Sequence, residues 1–224
     1  MHPLENIFWV CLSGPHAKFS AGTADARRYA PGFSPIVAFP DATRPNFDAL
    51  RPFCEPGEHF YCDGWSGAAP DGWMIEAEAT MFRMVWDAPA PVEDQAPDAV
   101  PLRPEHAQQA YDLAMLTRPG PFGLRTPELG EYFGYFEEGR LIAMAGERTA
   151  ATGLREISGV CTHPDFQGRG YAWRLMAKLA MRQLQRGETP FLNVMASNAS
   201  AHALYLRMGF KDYKECVVRV VAPR

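Results

Sequence analysis

The chain has 224 residues, 47% hydrophobic and 21% charged, a globular composition that excludes a mostly disordered chain. Its 22 Lys and Arg against 26 Asp and Glu leave a net charge of −4, a poor match to a dedicated nucleic-acid binder, which carries a basic excess. No run of about 18 apolar residues is present to span a membrane, and the length allows one large domain or one and a half.

The opening residues, Met1-His2-Pro3-Leu4-Glu5-Asn6, lack a basic region leading into an apolar stretch, so no export signal is expected. The five cysteines, Cys11, Cys54, Cys62, Cys161 and Cys216, form no CxxC pair, so neither a zinc site nor a thioredoxin-type motif is expected. Cys54 and Cys62 are close enough to bridge. The odd count and missing export signal favour reduced thiols in a cytoplasm.

The first part of the chain is cut into short pieces by prolines at 31, 35, 40, 45, 52, 56 and 70. Short helices are expected at 21–29 and 46–53, and strands at 33–39 and 74–86. Its dense aromatics read as the core of a small α+β unit or as a wall facing a substrate. Residues 87–98, DAPAPVEDQAPD, hold three prolines and four acids. Proline fixes φ and removes a donor, so this stretch reads as a linker, with a boundary near residue 95.

The second part is clearer. A strand at 100–102 precedes a helix at 104–116 that has Pro104 in its first turn. Strands at 131–136 and 141–147 flank a turn, and 156–162 is a third strand. A helix at 169–186 carries Leu175, Met176, Leu179, Ala180 and Leu184 on one stripe and stops at Gly187. A strand at 190–195, a helix at 198–208 closed by Gly209, and one or two strands within 210–221 complete an α/β (α+β) chain with a mixed sheet.

The segment VCTHPDFQGRGYAWR, 160–174, carries the chemistry. A strand ends at Thr162, a turn follows, and Gly168 and Gly170 open a helix. Glycine lets backbone approach a ligand closely. The free N–H groups of the first helical turn, backed by the helix dipole, favour an anion such as a pyrophosphate. Trp173 stands where a dinucleotide fingerprint needs its third glycine, and no Gly-Lys-Ser/Thr of a P-loop follows.

Gln167, Gly170 and Ala172 fill the Gln/Arg-x-x-Gly-x-Gly/Ala signature of the GNAT superfamily of acyl-CoA-dependent N-acetyltransferases, which this segment resembles. His163-Pro164-Asp165 upstream, and Asn198-Ala199-Ser200-Ala201, Leu204-Tyr205 and Gly209-Phe210 downstream, are similar to its other conserved features. The resemblance covers roughly 100–220, and its C-terminal stretch looks closest to the branch with glycine N-acyltransferase-like C-terminal domains. It implies the acyl-CoA N-acyltransferase fold, a mixed, mostly antiparallel sheet flanked by helices, at 96–224. A smaller degenerate α+β half at 1–95 is implied to lack a cofactor loop and to help shape the acceptor pocket.

The resemblance further implies acetyl-CoA as cosubstrate, with no metal. Backbone groups of Gly168, Arg169, Gly170, Tyr171, Ala172 and Trp173 are expected at its pyrophosphate. Those of Val160, Cys161 and Thr162 are expected to pair with the pantetheine arm like an added strand, which requires the next strand to splay away. Asn198 is expected beside the pantetheine or as a helix N-cap. Tyr205 matches the family's general acid, a core tyrosine being the plainer reading. Glu156 is the leading base, with Glu147 or a water as alternatives. Strand alternation puts Glu156, Ser158, Val160 and Thr162 on one face and turns Cys161 away. A glutamate used as base in another branch is here Asn193, which cannot serve as one. Arg174, Lys178, Arg182 and Arg186 form a basic stripe, read as a solvated face whose near end could meet CoA phosphates. His163 and His202 are read as structural or exposed. The expected reaction is acetyl transfer to a primary amine of a small molecule, amino acid or peptide by direct attack in a ternary complex. A non-catalytic acyl-CoA-binding module is the competing reading. The partners expected are a small amine or peptide, with neither nucleic acid nor membrane, and a homodimer left open.

Overall fold

The computed structural model describes residues 2–224. The chain runs α1 (Ile7–Ser13), β1 (Ser20–Gly22), β2 (Arg27–Tyr29), β3 (Val37–Ala38), α2 (Phe47–Leu50), β4 (Phe60–Asp63), β5 (Trp73–Trp86), β6 (Val100–Pro101), α3 (Ala107–Thr117), β7 (Tyr132–Glu137), β8 (Arg140–Ala151), β9 (Leu154–Thr162), α4 (Tyr171–Gln185), β10 (Thr189–Met195), α5 (Ala199–Met208) and β11 (Phe210–Pro223). Strands β4 to β11 form one eight-stranded sheet in the order β4-β11-β5-β10-β9-β8-β7-β6. Only β9 and β10 run parallel. This is the mixed, mostly antiparallel sheet flanked by helices that the sequence predicts. Among the described residues no helix is long and apolar enough to cross a membrane.

Local chemistry explains most of the elements. Strands β7 and β8 meet at a two-residue turn in which Glu138 and Gly139 both take positive φ, 49° and 78°, the twist that a tight hairpin requires. Helix α4 buries Leu175, Met176, Leu179 and Ala180 against Ile142, Ala143, Ile157 and Leu192 of the sheet, and α5 adds Tyr205 and Met208 to the same cluster. On the opposite face α1 buries Ile7, Phe8 and Leu12 with Phe191 and Val218. Helix α3 sets Ala110, Leu113 and Ala114 against Met144 and Cys161 on that same side.

Three expectations change. Residues 21–29 are not helical: β1 and β2 pair antiparallel, Ser20 opposite Tyr29. A tight turn closes them, Thr23 N–H donating to the Ala26 carbonyl at 2.8 Å. Second, the division near residue 95 does not separate two sheets. Strand β5, N-terminal to it, lies between β10 and β11 and pairs with both. Residues 96–224 alone would leave a gap in the centre of the sheet.

Third, the basic stripe of α4 is only partly solvated: it is ion-paired along its length and Lys178 within it is buried. Arg174 donates to Asp98 at 2.6 Å and to the Gln95 carbonyl at 2.9 Å. Lys178 pairs with Asp94 and donates to the Ala96 carbonyl at 3.0 Å. Arg182 and Arg186 pair with Glu131. The acidic linker is therefore strapped onto α4. Lys178→Ala is expected to lower stability by about 1–2 kcal/mol, as one hydrogen-bonded, partly buried charge is lost. It should also speed proteolysis within 87–98, read by limited digestion.

Candidate active site

A wedge in the sheet creates the site. Strands β9 and β10 pair only from Thr189 opposite Leu154 to Phe191 opposite Glu156. Beyond that, β10 follows β5, with Asn193 opposite Arg83 and Met195 opposite Met81. The edge of β9 at 157–162 is left open toward β10. A bulge sharpens the divergence. Pairing with β8 jumps from Met144↔Cys161 to Gly146↔Ser158, so one extra residue of β9 must be absorbed, and Gly159 takes φ +62° to do so.

The bulge overturns the expected alternation. Ile157 and Val160 both pack toward α4. Cys161 instead packs with Leu113 and Met144 on the α3 side, the face that Glu156, next to Ile157, also takes. Cys161 is thus not turned away from the Glu156 face. Its thiol is inert for another reason: burial pushes its pKa up to about 12, leaving almost no thiolate at neutral pH. All five cysteines are free thiols.

A cavity of about 730 Å³ fills the wedge. It brings together Val160, Cys161, Thr162, the loop from Gln167 through Gly168, Arg169, Gly170, Tyr171 and Ala172 to Trp173, and Asn198 and Tyr205. Gly168 and Gly170 hold φ of 77° and 79°, and no atom lies within 4 Å of where a side chain would begin at either. The loop is a cradle open to the cavity. Gly170 caps α4, and no acidic residue stands in that helix's first turn, so its free N–H groups keep their positive field. Arg169 and Arg207 add cationic side chains to the wall.

Asn198 caps α5, its side chain accepting the Ala201 N–H at 3.2 Å, and it also lines the cavity. Both expected roles are geometrically compatible. Tyr205 is 9% exposed, and burial alone pushes its phenol up to about 12. No protein group hydrogen-bonds its hydroxyl among the described residues, and it fronts the cavity. Arg174, by contrast, turns to the linker and lies off the cavity wall. His163 caps a short turn, accepting the Asp165 N–H at 3.3 Å. His202 stacks on Phe82 and pairs with Asp212. Both histidines are structural.

Glu156 departs from the expected role of base. It is wholly buried and does not reach the cavity wall. Its two oxygens accept Arg148 Nη2 at 2.7 Å and Nε at 3.0 Å, Thr149 N–H at 3.1 Å and Oγ1–H at 2.7 Å, and Asn193 Nδ2 at 2.8 Å. Burial raises its pKa, but Arg148, Thr149 and Asn193 outweigh that and leave it lowered. A carboxylate with every lone pair engaged and a depressed pKa is a poor proton acceptor. Glu147 is not an alternative. It faces α4, bound to Arg186 and Gln183.

Sequence reasoning missed the polar row beneath the cavity. Asp63 Oδ2 accepts Arg83 Nη2 at 2.7 Å, Arg83 Nε donates to Asn193 Oδ1 at 3.0 Å, and Asn193 passes on to Glu156 and Arg148. The row crosses β4, β5, β10, β9 and β8. One signal was present: Arg83 stands alone in the apolar run MFRMVW, and a buried cation demands a partner.

Residues 132–219 match the family model of FR47-like proteins. Among solved structures, the chain is similar to a GNAT-family protein from Novosphingobium aromaticivorans, with 32% identity and a TM-score of 0.90 over 100% of both chains. A GCN5-related N-acetyltransferase-like protein from Streptococcus suis shares the fold at 16% identity and a TM-score of 0.63, over 97% of this chain and 92% of that one. A Drosophila protein does so at 16% identity and a TM-score of 0.62, over 88% and 74%. No curated protein matches the chain.

Proposed function

The chain belongs to the GNAT family of acetyltransferases, and on that premise we propose that it transfers acetyl from acetyl-CoA to a primary amine by direct attack in a ternary complex. The observation that carries this reading is the open wedge that ends at the Gly168–Gly170 cradle, with the unpartnered Tyr205 hydroxyl in the same cavity. The pyrophosphate of CoA fits the free N–H groups at the start of α4. The pantetheine arm fits the open edge of β9 as an added strand. The similarity of the C-terminal stretch supports placing the chain beside the branch with glycine N-acyltransferase-like domains. The unpaired thiols support a cytoplasmic setting.

The amine must reach the thioester unprotonated. An alkylammonium with a pKa of ~10.4 lies ~3.4 units above neutral pH, roughly 4.6 kcal/mol. Glu156 and Glu147 are sealed in ion pairs, so neither takes that proton, and it leaves to water in the cavity. The nitrogen then adds to the thioester carbonyl. As the C–S bond breaks, the departing thiolate takes a proton from the Tyr205 hydroxyl. Attack through an acyl-enzyme finds no support, because Cys161 stays protonated.

The non-catalytic acyl-CoA-binding module keeps one argument, the absence of an accessible glutamate base. Mixing the protein with acetyl-CoA and a panel of amines, and following free thiol, separates the two. Thiol release that depends on an amine is expected. Acetyl-CoA binding with no release for any amine would favour the module. Gly170→Trp is expected to weaken acetyl-CoA binding at least about tenfold, since a side chain at that φ is strained and fills the cradle. Isothermal titration reads this directly.

A further inference from the structure

Beyond the wedge, the cavity continues to an end built by Phe8 of α1, Ile36, Tyr61 and Asp63 of β4, Met81 of β5 and Val218 of β11. Asp63 is the one acidic residue on the entire cavity wall, which also holds Arg118, Arg148, Arg169 and Arg207. Its side chain is 9% exposed. Oδ2 accepts the bond from Arg83, while Oδ1 takes no hydrogen bond among the described residues, and Asp63 lines the cavity. Arg83 itself is wholly buried and stays off the wall, held by the Leu4 carbonyl at 2.6 Å and by Asn193. The charge facing the ligand here is therefore the carboxylate, with its balancing cation behind it. A half-paired carboxylate amid apolar side chains is best completed by a charged N–H donor.

We propose that Asp63 binds the ammonium group of the acceptor before reaction, its proton leaving to water in the cavity ahead of attack, and that the acceptor is a primary amine on an apolar body, an aralkylamine or alkylamine without a carboxylate. This rests on the acetyl-transfer reading and names its substrate class. Phe8, Ile36, Tyr61, Met81 and Val218 supply the surface for the apolar body, whose burial drives binding. The same end offers no partner for an α-carboxylate. Arg148, the guanidinium beneath the inner wall, already holds Glu156 with two bonds. It is separated from Asp63 by Arg83, Asn193 and Glu156, and β8 lies five steps from β4 in the sheet order. Neighbouring strands are spaced about 4.8 Å apart, so one amino acid's ammonium and carboxylate do not span the two. The N-terminal half thus contributes specificity through chosen side chains, most of its other aromatics being spent on packing.

The test is isothermal titration of the CoA-loaded protein with 2-phenylethylamine, its neutral isostere 2-phenylethanol, and phenylalanine. The wild type should bind the amine at least about tenfold more tightly than the other two. Asp63→Asn should erase the amine's advantage over the alcohol and leave the Kd of CoA unchanged. Asn keeps an oxygen for Arg83. Val218→Phe leaves Asp63 in place, and it should weaken amine and alcohol alike by filling the apolar end. The proposal is overturned if the amine binds Asp63→Asn as tightly as wild type, if phenylalanine matches the amine, or if the wild type does not prefer the amine. The isostere comparison on the wild type decides even where a variant folds poorly. Because titration needs no turnover, amine binding without thiol release would overturn the acetyl-transfer reading and leave Asp63 as the anchor.

Discussion

Tyr205→Phe is expected to lower kcat by about two orders of magnitude, the usual range for loss of a positioned general acid, while the Kd of acetyl-CoA stays within about twofold. The variant removes one oxygen, one not hydrogen-bonded by the protein, and leaves the ring that packs on Phe210. The fold therefore has little to lose. The departing thiolate, whose parent thiol has a pKa of ~8.5, loses the proton donor assigned to it. Burial pushes the Tyr205 phenol up to about 12, so it stays protonated across the working range. Activity should accordingly show no alkaline limb from Tyr205 below about that pH. Rapid-mix assays of thiol release, run beside titration of acetyl-CoA, give both numbers. Wild-type turnover in the variant would remove Tyr205 from the mechanism.

The glycine loop, Asn198 and Tyr205 were legible in the sequence because their geometry is local. A strand end, a turn and a helix start within fifteen residues fix where Gly168 and Gly170 lie, and Asn198 caps the helix that carries Tyr205. The long-range partners were not legible. Nothing local tells β5 to insert between β10 and β11, so residues before 95 read as a separate half. The face assignment on β9 failed at a single residue. Gly159 stands inside a strand, a known sign of a bulge, and one extra residue exchanges the faces beyond it. The linker carried an overlooked signal too. Asp94 and Asp98 repeat with the four-residue spacing of Arg174 and Lys178, the very residues they meet. Glu156 misled for a physical reason: a carboxylate near the end of a strand looks the same in sequence whether solvent or a buried guanidinium completes it.

That difference has a large measurable consequence. Glu156→Ala is expected to destabilise the fold by about 3–5 kcal/mol, the range for removing one partner of a buried ion pair and leaving the other uncompensated. Arg148 would then remain 6% exposed with no carboxylate beside it, and Thr149 and Asn193 would lose their acceptor. The double variant Arg148→Met, Glu156→Leu should recover most of that loss, because removing both charges also removes their desolvation cost. A residue conserving the reaction as a base has no reason to be rescued in stability by such an exchange. The pH dependence has a definite sign. Glu156 has a folded pKa below its unfolded value, taken as ~4.3, so its contribution is present above that value and is lost as pH falls through the lower folded pKa. Urea midpoints should therefore differ sharply between wild type and Glu156→Ala at pH 7, and the gap should narrow in strong acid. An unchanged midpoint at pH 7 would mean that Glu156 is not held as the structure has it, and would return it to the list of candidate bases.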